Sequence, residues 1–96
     1  MNKNVLNTDL TGKVCVVTGA GGVLCSAFAK ALARAGAKVA LLGRTLASLE
    51  AVADEIRAEG GVAKSYPANV LDRESLDAVH AQILADFGPC DVLVNG

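Results

Sequence analysis

Val14-Cys15-Val16-Val17 runs directly into Thr18-Gly19-Ala20-Gly21-Gly22-Val23-Leu24-Cys25. Four β-prone residues meet a glycine-rich corner, and the corner opens at once into an amphipathic stretch. Residues of these types at this spacing can hold an anion. The first backbone N–H groups of a helix lack intrahelical acceptors, and the helix dipole adds positive charge at the same end. A phosphate placed there accepts from those N–H groups, provided no Cβ holds it away. The corner therefore predicts a site for a phosphate-bearing cofactor. Gly19 permits the tight exit from the strand. Gly21 and Gly22 leave room for a ribose and the phosphates. The N–H groups of Val23 and Leu24 open the helix and face the pyrophosphate.

The corner is not a nucleoside triphosphatase loop. That loop ends in Gly-Lys-Ser/Thr, whereas Gly22 is followed by Val23-Leu24-Cys25. A general dinucleotide pattern, G-x-G-x-x-G, would place glycines at 19, 21 and 24, and position 24 is Leu. The match is partial.

The elements that must position this corner follow a regular beat. Lys13–Thr18 reads as a strand and Val23–Ala35 as a helix. Leu24, Ala27, Phe28, Ala31, Leu32 and Ala35 fall on one face of it at helical spacing, and Gly36 stops it. Ala37–Leu42 is a second strand, apolar on both faces apart from Lys38. Thr45 stands where it can cap a second helix with the stripe Leu46, Leu49, Ala53 and Ile56, ended by Gly60-Gly61. Val62–Pro67 is a third strand. Asp72 caps a third helix that buries Leu76, Val79, Ile83, Leu84 and Phe87, and Gly88-Pro89 closes it. Cys90–Asn95 is a fourth strand. Two-sided apolar strands joined by helices predict an α/β fold, a parallel sheet covered on both faces. Right-handed crossovers give a doubly wound sheet with strand order 3-2-1-4. Residues 1–12 form a polar arm. The apolar run at 92–96 would leave a naked sheet edge, so residues 13–96 are expected to be the N-terminal part of a longer protein.

Composition excludes several classes. The 96 residues carry a net charge of −1, so no basic field attracts nucleic acid or anionic lipid. No apolar run reaches the ~18 residues of a membrane span, and the first residues lack the apolar core of a signal peptide. A cytoplasmic protein is expected. Cys15, Cys25 and Cys90 are odd in number and show no CxxC spacing, which suggests neither disulfides nor zinc. Cys25 falls in a first helical turn, where the dipole can raise a thiol's reactivity.

The wider pattern is specific. Thr18-Gly19 with Gly21-Gly22-Val23-Leu24, Ala29-Lys30-Ala31-Leu32-Ala33, Gly36-Ala37, Leu42-Gly43-Arg44, Asn69-Val70 and Asp91-Val92-Leu93-Val94-Asn95-Gly96 together resemble the short-chain dehydrogenase/reductase family over Leu10 to Gly96. The family's opening motif is T-G-x-x-x-G-x-G, and here Val23 and Cys25 stand at its second and third glycines. The variant T-G-x-G-G-V-L looks like the branch of D-mannonate oxidoreductases and fructuronate reductases.

The resemblance implies a Rossmann-type fold, a dinucleotide cofactor, and hydride transfer between nicotinamide and a carbonyl or alcohol. The resemblance to that branch implies a small substrate of the sugar-acid class, such as D-fructuronate, and a homo-oligomeric full-length enzyme. Family members that use NAD place an acidic residue near the end of the second strand. Position 43 is Gly and Arg44 follows, which leans towards NADP, with NAD possible. Asn69 would accept from the adenine amino group, and the N–H of Val70 would donate to the ring. Asn95 and Gly96 would lie beside the adenosine ribose. The catalytic Ser, Tyr and Lys of the family have no counterpart in this chain. Tyr66 has Val70 four residues later rather than Lys, and reads as a packing residue. His80, the single histidine, reads as a helix-surface residue. The alternative function is a non-catalytic dinucleotide-binding or regulatory module, with a flavodoxin-like FMN protein a weaker third option.

Overall fold

The computed structural model describes residues 10–20, 22–69 and 71–94. Most of the predicted arm, together with Gly21, Val70, Asn95 and Gly96, lies outside the described residues. The element order is β1 (Val14–Thr18), α1 (Val23–Arg34), β2 (Lys38–Gly43), α2 (Leu46–Ala58), β3 (Val62–Pro67), α3 (Arg73–Asp86) and β4 (Val92–Val94). All strand pairs are parallel, and the order is β3-β2-β1-β4 as expected.

Alternation along the inner strands divides the core. Cys15, Val17, Val39 and Leu41 pack against Ala29 of α1 and Leu49, Ala53 and Ile56 of α2. Val14, Val16, Ala40, Leu42 and Tyr66 face the other way, against Val79 and Ile83 of α3. Two-sided burial is why β1 and β2 are almost wholly apolar.

Three details differ from the expectation. The face of α1 against the sheet is Cys25, Ala29, Leu32 and Ala33, which shares only Leu32 with the predicted stripe, and Leu24 and Phe28 point outward at 69% and 49% exposure. The helix carries two apolar stripes that periodicity weighs alike. The small side chains of Ala29 and Ala33 let the backbone approach the sheet, and that close approach selects their stripe. Leu46 and Leu84 are likewise exposed. The fourth strand is shorter than predicted. Cys90 and Asp91 fall outside it, yet Asp91 extends the pairing: its N–H donates to Val14 O at 2.8 Å, and its carboxylate accepts from Val14 N at 2.9 Å.

Helix ends follow local chemistry. Gly36, at φ +101°, closes α1, with its N–H donating to Ala33 O and that of Ala37 to Leu32 O. Asp72 caps α3 by accepting from Glu74 N at 3.0 Å. Thr45 occupies the cap position of α2, but its side chain makes no capping bond.

Tyr66 is packed as expected, and it is also tied down. Its hydroxyl donates to Asp86 Oδ2 at 2.7 Å, and Lys64 Nζ donates to the same oxygen at 2.7 Å. Lys64 and then Tyr66 hold the Asp86 carboxyl below its ordinary pKa, while burial and then Asp86 push the tyrosine up. A carboxylate depressed in the folded state contributes stability above its unfolded pKa of about 3.9 and loses it as pH falls through the folded value. Asp86→Asn should therefore lower the urea midpoint by an amount that is constant from about pH 5 to 8 and shrinks below about pH 4. A gap of equal size at pH 3 would show that the carboxylate's charge is not what matters.

Candidate cofactor site

Parallel strands bring their carboxyl ends to one edge of the sheet. Thr18, Leu42 and Tyr66 share a register row, as do Gly43 and Pro67, and Val17 pairs with Val94. The segments after these strands therefore lie together. They contain Gly19, Gly22, Arg44 and Asn69. In open α/β sheets, ligands bind outside these ends, at the point where the strand order reverses. Here the reversal falls between β1 and β4, next to the glycine corner.

The corner is built by its backbone. Gly19 has φ +66°, a left-handed conformation that glycine adopts without penalty. The Gly22 N–H donates to Gly19 O at 3.0 Å and closes the turn, and Ser26 N donates to Gly22 O at 2.9 Å as the helix begins. A Cβ on Gly22 would sit 3.3 Å from Gly19 O. Gly22 is the N-cap and offers no side-chain acceptor. The N–H groups at the start of α1 therefore receive no acceptor from a capping side chain, the condition that an anion grip needs. The Val23 and Leu24 side chains are exposed, at 91% and 69%, so they project away from the packed face while their backbone opens the helix. Cys25, at a family glycine position, tucks its side chain partly into the core beside Ala29.

Two contacts that the motif does not specify fix the corner. Ala20 is fully buried, and its N–H donates to Leu42 O at 3.0 Å. Thr18 Oγ1 donates to Val94 O at 3.3 Å and ties β1 to β4 where the order reverses. On the other flank, Ala68 N donates to Gly43 O at 2.7 Å, so the segments after β1 and β3 are both pinned to the end of β2.

Arg44 is exposed just beyond β2. A Cβ on Gly43 would meet Leu49 Cδ2 at 3.0 Å, so a larger residue there would crowd the core side chain. Asn69 is exposed after β3 and shapes its own turn. Its Oδ1 accepts from Leu71 N at 3.0 Å, and its N–H donates to Ser75 Oγ at 3.3 Å. His80 is exposed on α3. A cleft of about 270 Å³ lined by Lys30, Arg34, Ile56 and Gly61 opens at the opposite, amino end of the sheet and takes no part in the site. Among the described residues, no cluster of His, Cys, Asp or Glu could hold a metal ion, and no helix is long and apolar enough to cross a membrane.

Residues 13–96 match the family model for short chain dehydrogenases. The chain belongs to that family. This short-chain dehydrogenase sequence is 52% identical over 91 residues to an uncharacterized oxidoreductase, UxuB, of Bacillus subtilis, covering 95% of this chain and 33% of the relative. An uncharacterized oxidoreductase of Haemophilus influenzae is 49% identical over 90 residues, with 94% and 32% covered. The chain thus spans about a third of the length of these curated relatives. A crystal structure from Haemophilus influenzae, assigned as a D-mannonate oxidoreductase with bound NAD, superposes with a TM-score of 0.89 at 48% identity, covering 92% of this chain and 31% of that one. A metagenomic short-chain oxidoreductase in complex with NADP gives 0.85 at 40% identity, with 90% and 39% covered.

Proposed function

We propose that residues 13–96 are the dinucleotide-binding part of an NAD(P)-dependent oxidoreductase. The observation that carries this reading is the glycine corner: a left-handed Gly19, a glycine N-cap and a following helix, set beside the strand-order reversal. In this reading Gly19, Gly21 and Gly22 make room for the pyrophosphate, and the N–H groups of Val23 and Leu24 hold it. Arg44 lies on the ribose side, Asn69 and Val70 on the base side, and Asn95 and Gly96 beside the ribose. The complete enzyme would transfer hydride between nicotinamide and a carbonyl or hydroxyl group. A sugar acid such as D-fructuronate is the proposed substrate, supported by likeness to a protein assigned as a D-mannonate oxidoreductase.

NADP is the proposed cofactor. Arg44 is a planar donor that can pair bidentately with a 2′-phosphate, and position 43 supplies no carboxylate to accept from a free 2′-hydroxyl. Relatives bind NAD in one structure and NADP in another, so the test is direct. In a fluorescence titration of the chain, NADPH should bind more tightly than NADH. Arg44→Ala should weaken NADPH by about tenfold, one charge-assisted contact, and leave NADH within about twofold. Tighter NADH binding by the unaltered chain would remove the role given to Arg44.

A further inference from the structure

We infer that Arg57 guards the open edge of the sheet, filling the outward carbonyl of Ala63 so that β3 does not pair with the β3 of a second copy of the chain. The strand order leaves β3 with one neighbour, β2. Along a strand, successive residues turn their N–H and C=O groups to alternate sides. Ala68 N donates to Gly43 O, and Gly43 pairs in register with Pro67. Val62, Lys64, Tyr66 and Ala68 therefore bond towards β2. The N–H and C=O groups of Ala63 and Ser65, with the C=O of Pro67, face outward. Such a row is a template for another strand.

Two parts of the row are withdrawn. Pro67 has no N–H to offer. At Ala63 the guanidinium of Arg57 reaches over from the last turn of α2, and its Nε and Nη2 donate to Ala63 O at 3.2 and 2.9 Å. A carbonyl oxygen has two lone pairs, and this fork supplies a donor for each. A group bonded to an outward carbonyl also lies in the path of an incoming strand. The arginine is itself held, with Nη1 3.4 Å from Asp54 Oδ1 and 3.6 Å from Glu50 Oε2. The same Glu50 oxygen accepts from Ser65 Oγ at 3.0 Å, so the guard is tied to the edge at a second point. A role confined to docking α2 on β3 would cost stability when Arg57 is lost, but it would create no new pairing. The inference does not depend on the cofactor reading.

The test is self-association of Arg57→Met, which keeps an apolar stem and removes every donor. Light scattering gives the mass and NMR the amide hydrogen exchange, each over a range of protein concentration. Both are run under reducing conditions, because Cys90 is an exposed free thiol. The variant should dimerise at least about tenfold more tightly than the unaltered chain, the effect of freeing one acceptor from a charge-assisted contact. The Ala63 and Ser65 amides should gain protection as concentration rises. Arg57→Lys keeps a cation beside Glu50 and Asp54 but not the fork. It should fall between the two, and it carries the same amide readout if circular dichroism shows Arg57→Met unfolded. A folded variant with the same mass as the unaltered chain at every concentration would overturn the proposal. So would association that leaves the Ala63 and Ser65 amides unprotected, because the contact would then lie elsewhere.

Discussion

Leu41→Ala should lower the free energy of unfolding by about 3 kcal/mol, within the range for emptying a leucine site in a packed interior. Leu41 is fully buried in the middle of β2, paired with Val17 on one side and Ser65 on the other. Its side chain lies in the cluster shared by α1 and α2, with Val17, Ala29 and Leu49. Deleting three carbons there loses transfer energy and leaves a void that a hydrogen-bonded strand cannot collapse to fill. Domains of this size hold only about 5–15 kcal/mol in total, so the loss is a large fraction. The melting temperature should fall by roughly 15 °C, at 4–8 °C per kcal/mol. Leu93→Ala is the comparison, because Leu93 lies on the outer strand at 57% exposure. It should cost under about 1 kcal/mol. Equal losses in the two variants would mean that β2 is not the centre of the core.

The contrast between those two leucines shows which parts of the fold were legible. β1 and β2 are apolar runs, broken only by Thr18 and Lys38 at their ends, and burial on both faces demands that pattern. Gly36 and Asp72 punctuate helices through local chemistry, a positive φ and a side-chain cap, so the residue type suffices to place them. The packed side of α1 was not legible, because Leu24 and Phe28 compete with Ala29 and Ala33 in any count of apolar spacing. The decision comes from how closely the helix can approach the sheet, a property of three dimensions. Asp91 shows the same limit. The sequence reading places it inside the fourth strand, yet that strand is Val92–Val94, and the Asp91 carboxylate instead receives the Val14 N–H across the sheet, 77 positions away.

The site divides along similar lines. The turn at Gly19 was readable because its φ of +66° favours glycine, and at Gly22 a Cβ would press on Gly19 O at 3.3 Å. The direction in which Asn69 points was not. An Asn before Asp72 could equally turn the chain or face a ligand, and the hydrogen bond from Leu71 shows that its oxygen does the first.

Gly19→Val should abolish most of the dinucleotide binding, with NADPH affinity falling by at least about 100-fold, while the chain still folds. At φ +66° a β-branched residue clashes with its own backbone, and holding it there costs about 1–3 kcal/mol. The corner can relieve that strain only by rotating the peptide whose carbonyl receives the Gly22 N–H at 3.0 Å. Rotation would open the turn and re-aim the first N–H groups of α1. Those groups must converge on one anion, and the affinity of such a grip depends on all of them pointing together. The sheet itself is anchored independently by the pairing of β1 with β2 and by the cores on both faces, so far-ultraviolet circular dichroism should change little. Gly22→Ala gives a graded comparison. Its Cβ would lie 3.3 Å from Gly19 O, tight enough to displace the carbonyl by a few tenths of an ångström without a forbidden φ. A loss of about tenfold is expected there. Titration of both variants with NADPH, alongside Leu93→Ala as an unrelated surface change, tests the order. If Gly19→Val binds within threefold of the unaltered chain, the glycine corner is a plain strand-to-helix turn and the phosphate grip lies elsewhere.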